Sequence, residues 1–273
     1  QGAEERILAV SHTGLVDRAS FDDLVRPDAA VCSVMWVNNE IGVVQPIAEL
    51  ATAANQRGVV FHTDAVQAFG KIAVDARTTP FDLLTISGHK IGAPKGIGAL
   101  FVRRGTPCTP LLHGGSQNRG LRPGTENVAA AVGLARAAEL AVEERDDEMA
   151  RLGTLRDRLE RGLLERIPDA VVNGAGAPRA PHILNISVPG TDSESMLMAL
   201  DLAGVACSSG SACQSGSVDP SHVLAALGVE RELAISAVRM SLGALTTDAS
   251  VDRVSQLFPA LITKARRLAG AVG

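Results

Sequence analysis

The sequence predicts an α/β protein, with a large domain on a mostly parallel sheet and a smaller α+β domain after it. Three observations lead there. Short apolar runs alternate with helix-period stretches through the first half, the pattern of parallel strands joined by crossover helices. A leucine ladder then marks a long helix, after which strands and helices interleave. The 273 residues, 46% hydrophobic and 21% charged, are enough for one large or two unequal cores. The domains are expected at residues 1–140 and 141–273.

Ile7-Leu8-Ala9-Val10 reads as a strand, and a chain opening on Gln1 is expected to lack an upstream part. Residues 30–37, rich in Val, Met and Trp, form a buried strand. Pro46 opens a helix with Ile47, Leu50, Ala51 and Ala54 on one face, and Gly58 closes it. Strands follow at 59–63, 82–87 and 99–103, the last two separated by the glycine-rich stretch 92–98. Helices are expected on both faces of this sheet. Glu126 starts the long helical region, in which Met149, Leu152, Leu155, Leu159 and Leu163 recur every three or four residues. Further strands are expected at 170–173, 183–188, 205–207 and 238–242, with helices at 194–201 and 221–227. A last helix turns Val251, Val254, Leu257, Phe258, Leu261 and Ile262 inward.

Composition narrows the function. A net charge of −4, six Phe, one Trp and no Tyr argue against a nucleic-acid surface, which needs basic and stacking groups. No apolar run approaches the roughly 18 residues of a membrane span, and the N-terminus lacks a signal-peptide pattern, so the chain is expected in the cytoplasm. Cys32, Cys108, Cys207 and Cys213 show neither disulfide nor zinc spacing, so no metal is expected and the thiols are free.

The chain has only four lysines, and Lys71, Lys95 and Lys264 read as surface groups. Lys90 differs, because it ends Ser87-Gly88-His89-Lys90 just after a buried strand, where α/β sheets gather ligands. It is either a turn lysine or an amine that bonds an aldehyde cofactor. Asp64, at the end of the preceding strand, is either a helix cap or the partner of a protonated pyridine nitrogen. Gln67, three residues on, is within reach of a ring substituent. Cys213 lies in a Ser- and Gly-rich stretch that reads as an exposed loop, which suits a nucleophilic thiol better than a buried one. Cys207, at a strand end, reads as structural. Arg239, charged within an apolar strand, serves either an internal ion pair or a bound α-carboxylate.

The motifs Asn38-Asn39-Glu40-Ile41-Gly42, His62-Thr63-Asp64-Ala65-Val66-Gln67, Ser87-Gly88-His89-Lys90, Arg122-Pro123-Gly124-Thr125 and Ser208-Ser209-Gly210-Ser211-Ala212-Cys213 occur in this order. With them the chain, from about residue 7 onward, resembles the cysteine desulfurases, fold-type I pyridoxal-phosphate enzymes of the class V aminotransferase group. The resemblance implies Lys90 as the cofactor lysine, Asp64 at the pyridine nitrogen, and Gln67 and Asn39 near the phenolic oxygen. It implies Ser87 and His89 at the phosphate, joined by Thr125 from a neighbouring subunit, and hence a homodimer. It implies Arg239 and Asn39 at the carboxylate of L-cysteine, with Cys213 as the residue that receives its sulfur as a persulfide while alanine is released. Iron–sulfur scaffold proteins and tRNA-thiolation carriers are the implied acceptors.

Two departures stand out. Trp36 occupies a position where close relatives often have His, which changes the expected wall near the cofactor ring. The family's N-terminal segment, with its ring-stacking histidine and a helix N-terminus for the phosphate, has no counterpart among His12, His62, His89, His113, His182 and His222. The alternatives are a selenocysteine lyase or other pyridoxal-phosphate lyase, which needs no Cys213, and a catalytically incompetent fragment that acts as an interaction module.

Overall fold

The computed structural model describes residues 2–209, 220–268 and 270. The first described elements are α1 (Arg18–Leu24), β1 (Val31–Met35), α2 (Ile47–Asn55), β2 (Val60–Asp64), β3 (Leu83–Ser87), β4 (Gly98–Val102), α3 (Val128–Glu143) and α4 (Arg145–Arg166). Then come β5 (Val171–Val172), β6 (Ile183–Ser187), α5 (Ser193–Leu202), β7 (Ser208–Ser209), α6 (His222–Ala226), α7 (Arg231–Ile235), β8 (Val238–Ser241) and α8 (Asp248–Leu268). The chain divides into two compact units. One comprises Val25–Trp36 and Pro46–Arg145; the other comprises the stretch up to Leu24, Val37–Gln45 and the chain from Asp146 on.

The first unit holds a sheet in the order β1-β2-β3-β4, in which β1, β2 and β3 are parallel and β4 returns antiparallel. Alternation along each strand gives it two unlike faces. Cys32, Val34, Phe61, Thr63 and Leu84 lie on the buried face. Ile47, Leu50, Ala51 and Ala54 of α2 are buried as the sequence pattern requires, and α2 packs on β2. The other face is more open, with Val31 at 52% and Leu100 at 53% exposure. Trp36 is buried and meets Phe81 edge-on, with ring centroids 6.0 Å apart, so it packs with the core.

The second unit carries an antiparallel sheet in the order β5-β6-β8-β7. Its core joins Leu152, Leu155, Leu159 and Leu163 of α4 to Val251, Phe258 and Ile262 of α8 and to Leu184, Ile186, Val238 and Met240 of the sheet. Each such side chain contributes about 1.5–3 kcal/mol by leaving water, which is why the leucine ladder was readable in the sequence.

Three expectations need correction. Ile7–Val10 forms no strand: Ile7 is 78% exposed, and only Val10 makes an isolated bridge, to Val16. The strand expected at 205–207 lies instead at Ser208–Ser209, where the backbone finds its ladder partners Arg239 and Val238. The helical region after Glu126 is two helices, the first capped by the Asn127 side chain, which accepts from the Ala130 amide at 3.1 Å. Two further helices were not anticipated from the sequence: α1 and α7, of seven and five residues, are too short to show a helical period.

Candidate active site

In the first unit the chemistry gathers where two parallel strands end. β2 finishes at Asp64 and β3 at Ser87; Asp64 is paired in register with Thr85, so Ser87 follows two residues on, along the same face. One oxygen of Asp64 accepts the Val66 amide at 2.8 Å and so closes a turn after β2; no described helix starts there, so the helix-cap reading of Asp64 is not met. Past Ser87 the chain turns through a short 3-10 helix, Gly88–Ile91. A side chain at Gly88 would lie 3.0 Å from the Ile97 carbonyl and 2.9 Å from its side chain, so only glycine lets this turn close against the neighbouring loop. The turn leaves His89 and Lys90 exposed and brings Ser87 Oγ to 2.8 Å from His89 Nδ1. A hydroxyl, an imidazole and turn amides at a strand end form a donor set for a phosphate, with the Lys90 amine one residue away. Gln67 is half-buried in the turn after β2, and Thr125 is exposed in the loop before α3.

The strand face that ends in Asp64 also carries a polar chain that the sequence reading passed over. His62 Nδ1 lies 2.7 Å from Ser33 Oγ on β1, and its Nε2 lies 2.8 Å from Thr85 Oγ1 on β3. The signal was the His-x-Asp spacing of β2, which puts both residues on one face. Burial lowers the His62 pKa, and Asp64 opposes that shift more weakly. The folded site therefore resists a proton that the unfolded chain accepts, and stability is lost as pH falls below the ordinary imidazole value of 6.5. Thermal midpoints measured at about pH 7.5 and about pH 5.5 are expected to drop more for the parent chain than for His62→Asn. Equal drops would remove His62 as the cause.

The second unit holds the other group of expected residues. Asn38–Gly42 forms a tight turn: the Asn38 side chain accepts the amides of Glu40 (2.9 Å) and Ile41 (3.0 Å), and the Gly42 amide bonds the Asn38 carbonyl. Gly42 has φ +76°, a conformation that favours glycine. Arg239 sits on β8 between Asn185 of β6 and Ser208 of β7. Its Nη1 donates to the Asn39 carbonyl at 2.9 Å, while its Nε is buried with no hydrogen-bond partner among the described residues. No ion pair at contact distance is formed by Arg239 among the described residues, although the buried Glu40 carboxylate lies near enough for the two charges to attract. A buried guanidinium nitrogen without a partner is costly and calls for an acceptor.

Cys213 lies outside the described residues. Among the remaining thiols, Cys207 is partly buried and Cys32 buried, and burial pushes both up to about 11. Neither is a thiolate at neutral pH, which agrees with the structural reading of Cys207. Cys108 is exposed.

The Aminotransferase class-V family profile matches residues 1–254. A cysteine desulfurase of Gluconacetobacter diazotrophicus is 47% identical over 268 residues, which cover 98% of this chain and 67% of that protein. The crystal structure of a NifS-like protein from Rickettsia africae superposes with a TM-score of 0.86 at 32% identity, covering 94% of this chain and 69% of the other. A structure described as SspA in complex with cysteine matches at TM-score 0.72 and 31% identity, covering 88% and 67%. The chain thus spans about two thirds of the length of these relatives.

Proposed function

The chain belongs to the class-V aminotransferases, among the cysteine desulfurases, and from that membership we propose that it takes sulfur from L-cysteine with pyridoxal phosphate and releases L-alanine. The family depends on this cofactor. The observation that carries the proposal is the pair of adjacent parallel strand ends, one bearing Asp64 and the other Ser87, His89 and Lys90.

These residues fit the cofactor by their chemistry. Lys90 offers the amine for its aldehyde, Asp64 a carboxylate for its ring nitrogen, Ser87 and His89 donors for its phosphate, and Gln67 and Asn39 amides for its phenolic oxygen. When bound, the cofactor supplies an electron sink for the pair left behind when the substrate Cα loses its proton. The protein's own groups do the rest. Arg239 holds the substrate carboxylate through its free Nε edge, with Asn39 beside it. Asp64 holds the proton on the ring nitrogen. Lys90 Nζ, once free, takes the Cα proton and serves as the general acid–base group. Cys213, as thiolate, attacks the substrate sulfur: an S–S bond forms, the substrate's C–S bond breaks, and the electron pair stays on carbon, which is protonated to give alanine.

The domain organisation follows the same reading, with residues 1–140 as the cofactor-binding part and 141–273 as the smaller part bearing the thiol. Thr125 reaches the phosphate of a second copy in a homodimer. Leu111, Leu112 and Val128, near it in sequence, are 92%, 64% and 65% exposed, which suits a surface that a second copy covers. The persulfide passes to acceptors such as an iron–sulfur scaffold or a tRNA-thiolation carrier. The site of action is the cytoplasm. No helix among the described residues is long and apolar enough to cross a membrane.

The test is steady-state alanine release from L-cysteine by the cofactor-loaded chain, compared with Arg239→Ala. Losing a buried charged partner of a carboxylate costs about 2–5 kcal/mol, so KM is expected to rise roughly 30- to 4000-fold. No alanine from the parent chain, or an unchanged KM in the variant, would refute the proposed role.

A further inference from the structure

Glu40 is a buried carboxylate, 4% exposed, that the reaction does not use. It is held at two points. Its side chain accepts a short hydrogen bond from Ser221 Oγ, and its backbone carbonyl accepts from Asn185 Nδ2 at 3.1 Å. Ser221 can donate to Glu40 because its oxygen lone pairs already serve the first amides of α6, Val223 at 3.1 Å and Leu224 at 3.4 Å. Asn185 is itself fixed, since Asn173 donates to its Oδ1 at 2.7 Å. Glu40 thus ties the tight turn at 38–42 to β6 on one side and to the start of α6 on the other.

The residue before it, Asn39, offers the carbonyl that takes Arg239 Nη1. A guanidinium with Nη1 occupied in this way meets a carboxylate with its other edge, the one containing Nε, and Nε is the buried atom left without a partner. The orientation of that edge depends on where the Asn39 carbonyl stands, and that in turn depends on the two anchors of Glu40. We infer that Glu40 is a positioning residue: by clamping the 38–42 turn to Ser221 and Asn185, it holds the Asn39 carbonyl on Arg239 and so sets the guanidinium edge that receives the substrate carboxylate.

This inference rests on the desulfurase reading, and its test separates the two. Binding to the cofactor-loaded chain is followed by absorbance with two probes, L-cysteine and cysteamine, which shares the amine and thiol but lacks the carboxylate. Glu40→Ala is expected to weaken L-cysteine about tenfold and leave cysteamine within about twofold, whereas Glu40→Gln, which keeps the acceptor for Ser221, stays within about threefold for both. Amide hydrogen exchange across residues 39–42 of the unloaded chain is expected to speed up in Glu40→Ala and in Ser221→Ala but not in Glu40→Gln. Equal weakening of both probes in Glu40→Ala, or unchanged exchange there, overturns the inference. Arg239→Ala is the control for the underlying reading. If it keeps the parent preference for L-cysteine over cysteamine, the carboxylate role of Arg239 fails, while exchange still decides whether Glu40 clamps the turn.

Discussion

Replacing Lys90 with alanine is expected to lower alanine release from L-cysteine by at least about 10⁴-fold, since it removes both the covalent hold on the cofactor and the general acid–base group at Cα. Nothing else in the chain can stand in. Lys71, Lys95 and Lys264 are the only other lysines, and none follows the end of a parallel strand as Lys90 does. The loss is expected without a loss of fold, because Lys90 is exposed on its 3-10 turn and packs no core. Thermal unfolding of Lys90→Ala is therefore expected within about 0.5 kcal/mol of the parent, as for other surface substitutions. A variant that still turns over at more than about a hundredth of the parent rate would exclude Lys90 as the reacting amine.

Cys213→Ala carries the second large effect, a loss of at least about 10³-fold in alanine release. The other thiols make this a clean test. With pKa values pushed up to about 11, Cys32 and Cys207 hold only about one thiolate per thousand molecules at pH 8. Cys108 is exposed, so Cys108→Ala serves as the control and is expected to keep the parent rate. A desulfurase cannot form its persulfide without the nucleophile. A lyase, which breaks the C–S bond without a protein thiol, would keep releasing alanine from Cys213→Ala, and that result would replace the desulfurase reading with the lyase one.

The parts of the molecule that were legible in the sequence are those where local pattern and burial agree. The α2 face, the α4 leucine ladder and the three parallel strands each repeat a period that the core then uses. Asp64 and the Ser87–Lys90 turn were legible because chemistry-bearing residues directly follow buried strands. Ile7–Val10 misled because apolar content alone does not make a strand without a neighbour to complete its ladder. The Ser33–His62–Thr85 chain and the Glu40–Ser221 clamp were missed for a different reason. Their partners are 29, 23 and 181 residues apart, and only the fold brings them together. A lone Glu in a turn motif reads as solvated until its burial is seen.

The most direct measurement is peptide mapping by mass spectrometry after the chain has been loaded with pyridoxal phosphate and treated with borohydride, which fixes the cofactor to whichever amine holds it. Chemistry centred on the end of β3 predicts one reduced adduct, on the peptide containing Lys90. An adduct on Lys71, Lys95 or Lys264 with none on Lys90, or no adduct at any lysine, would contradict it.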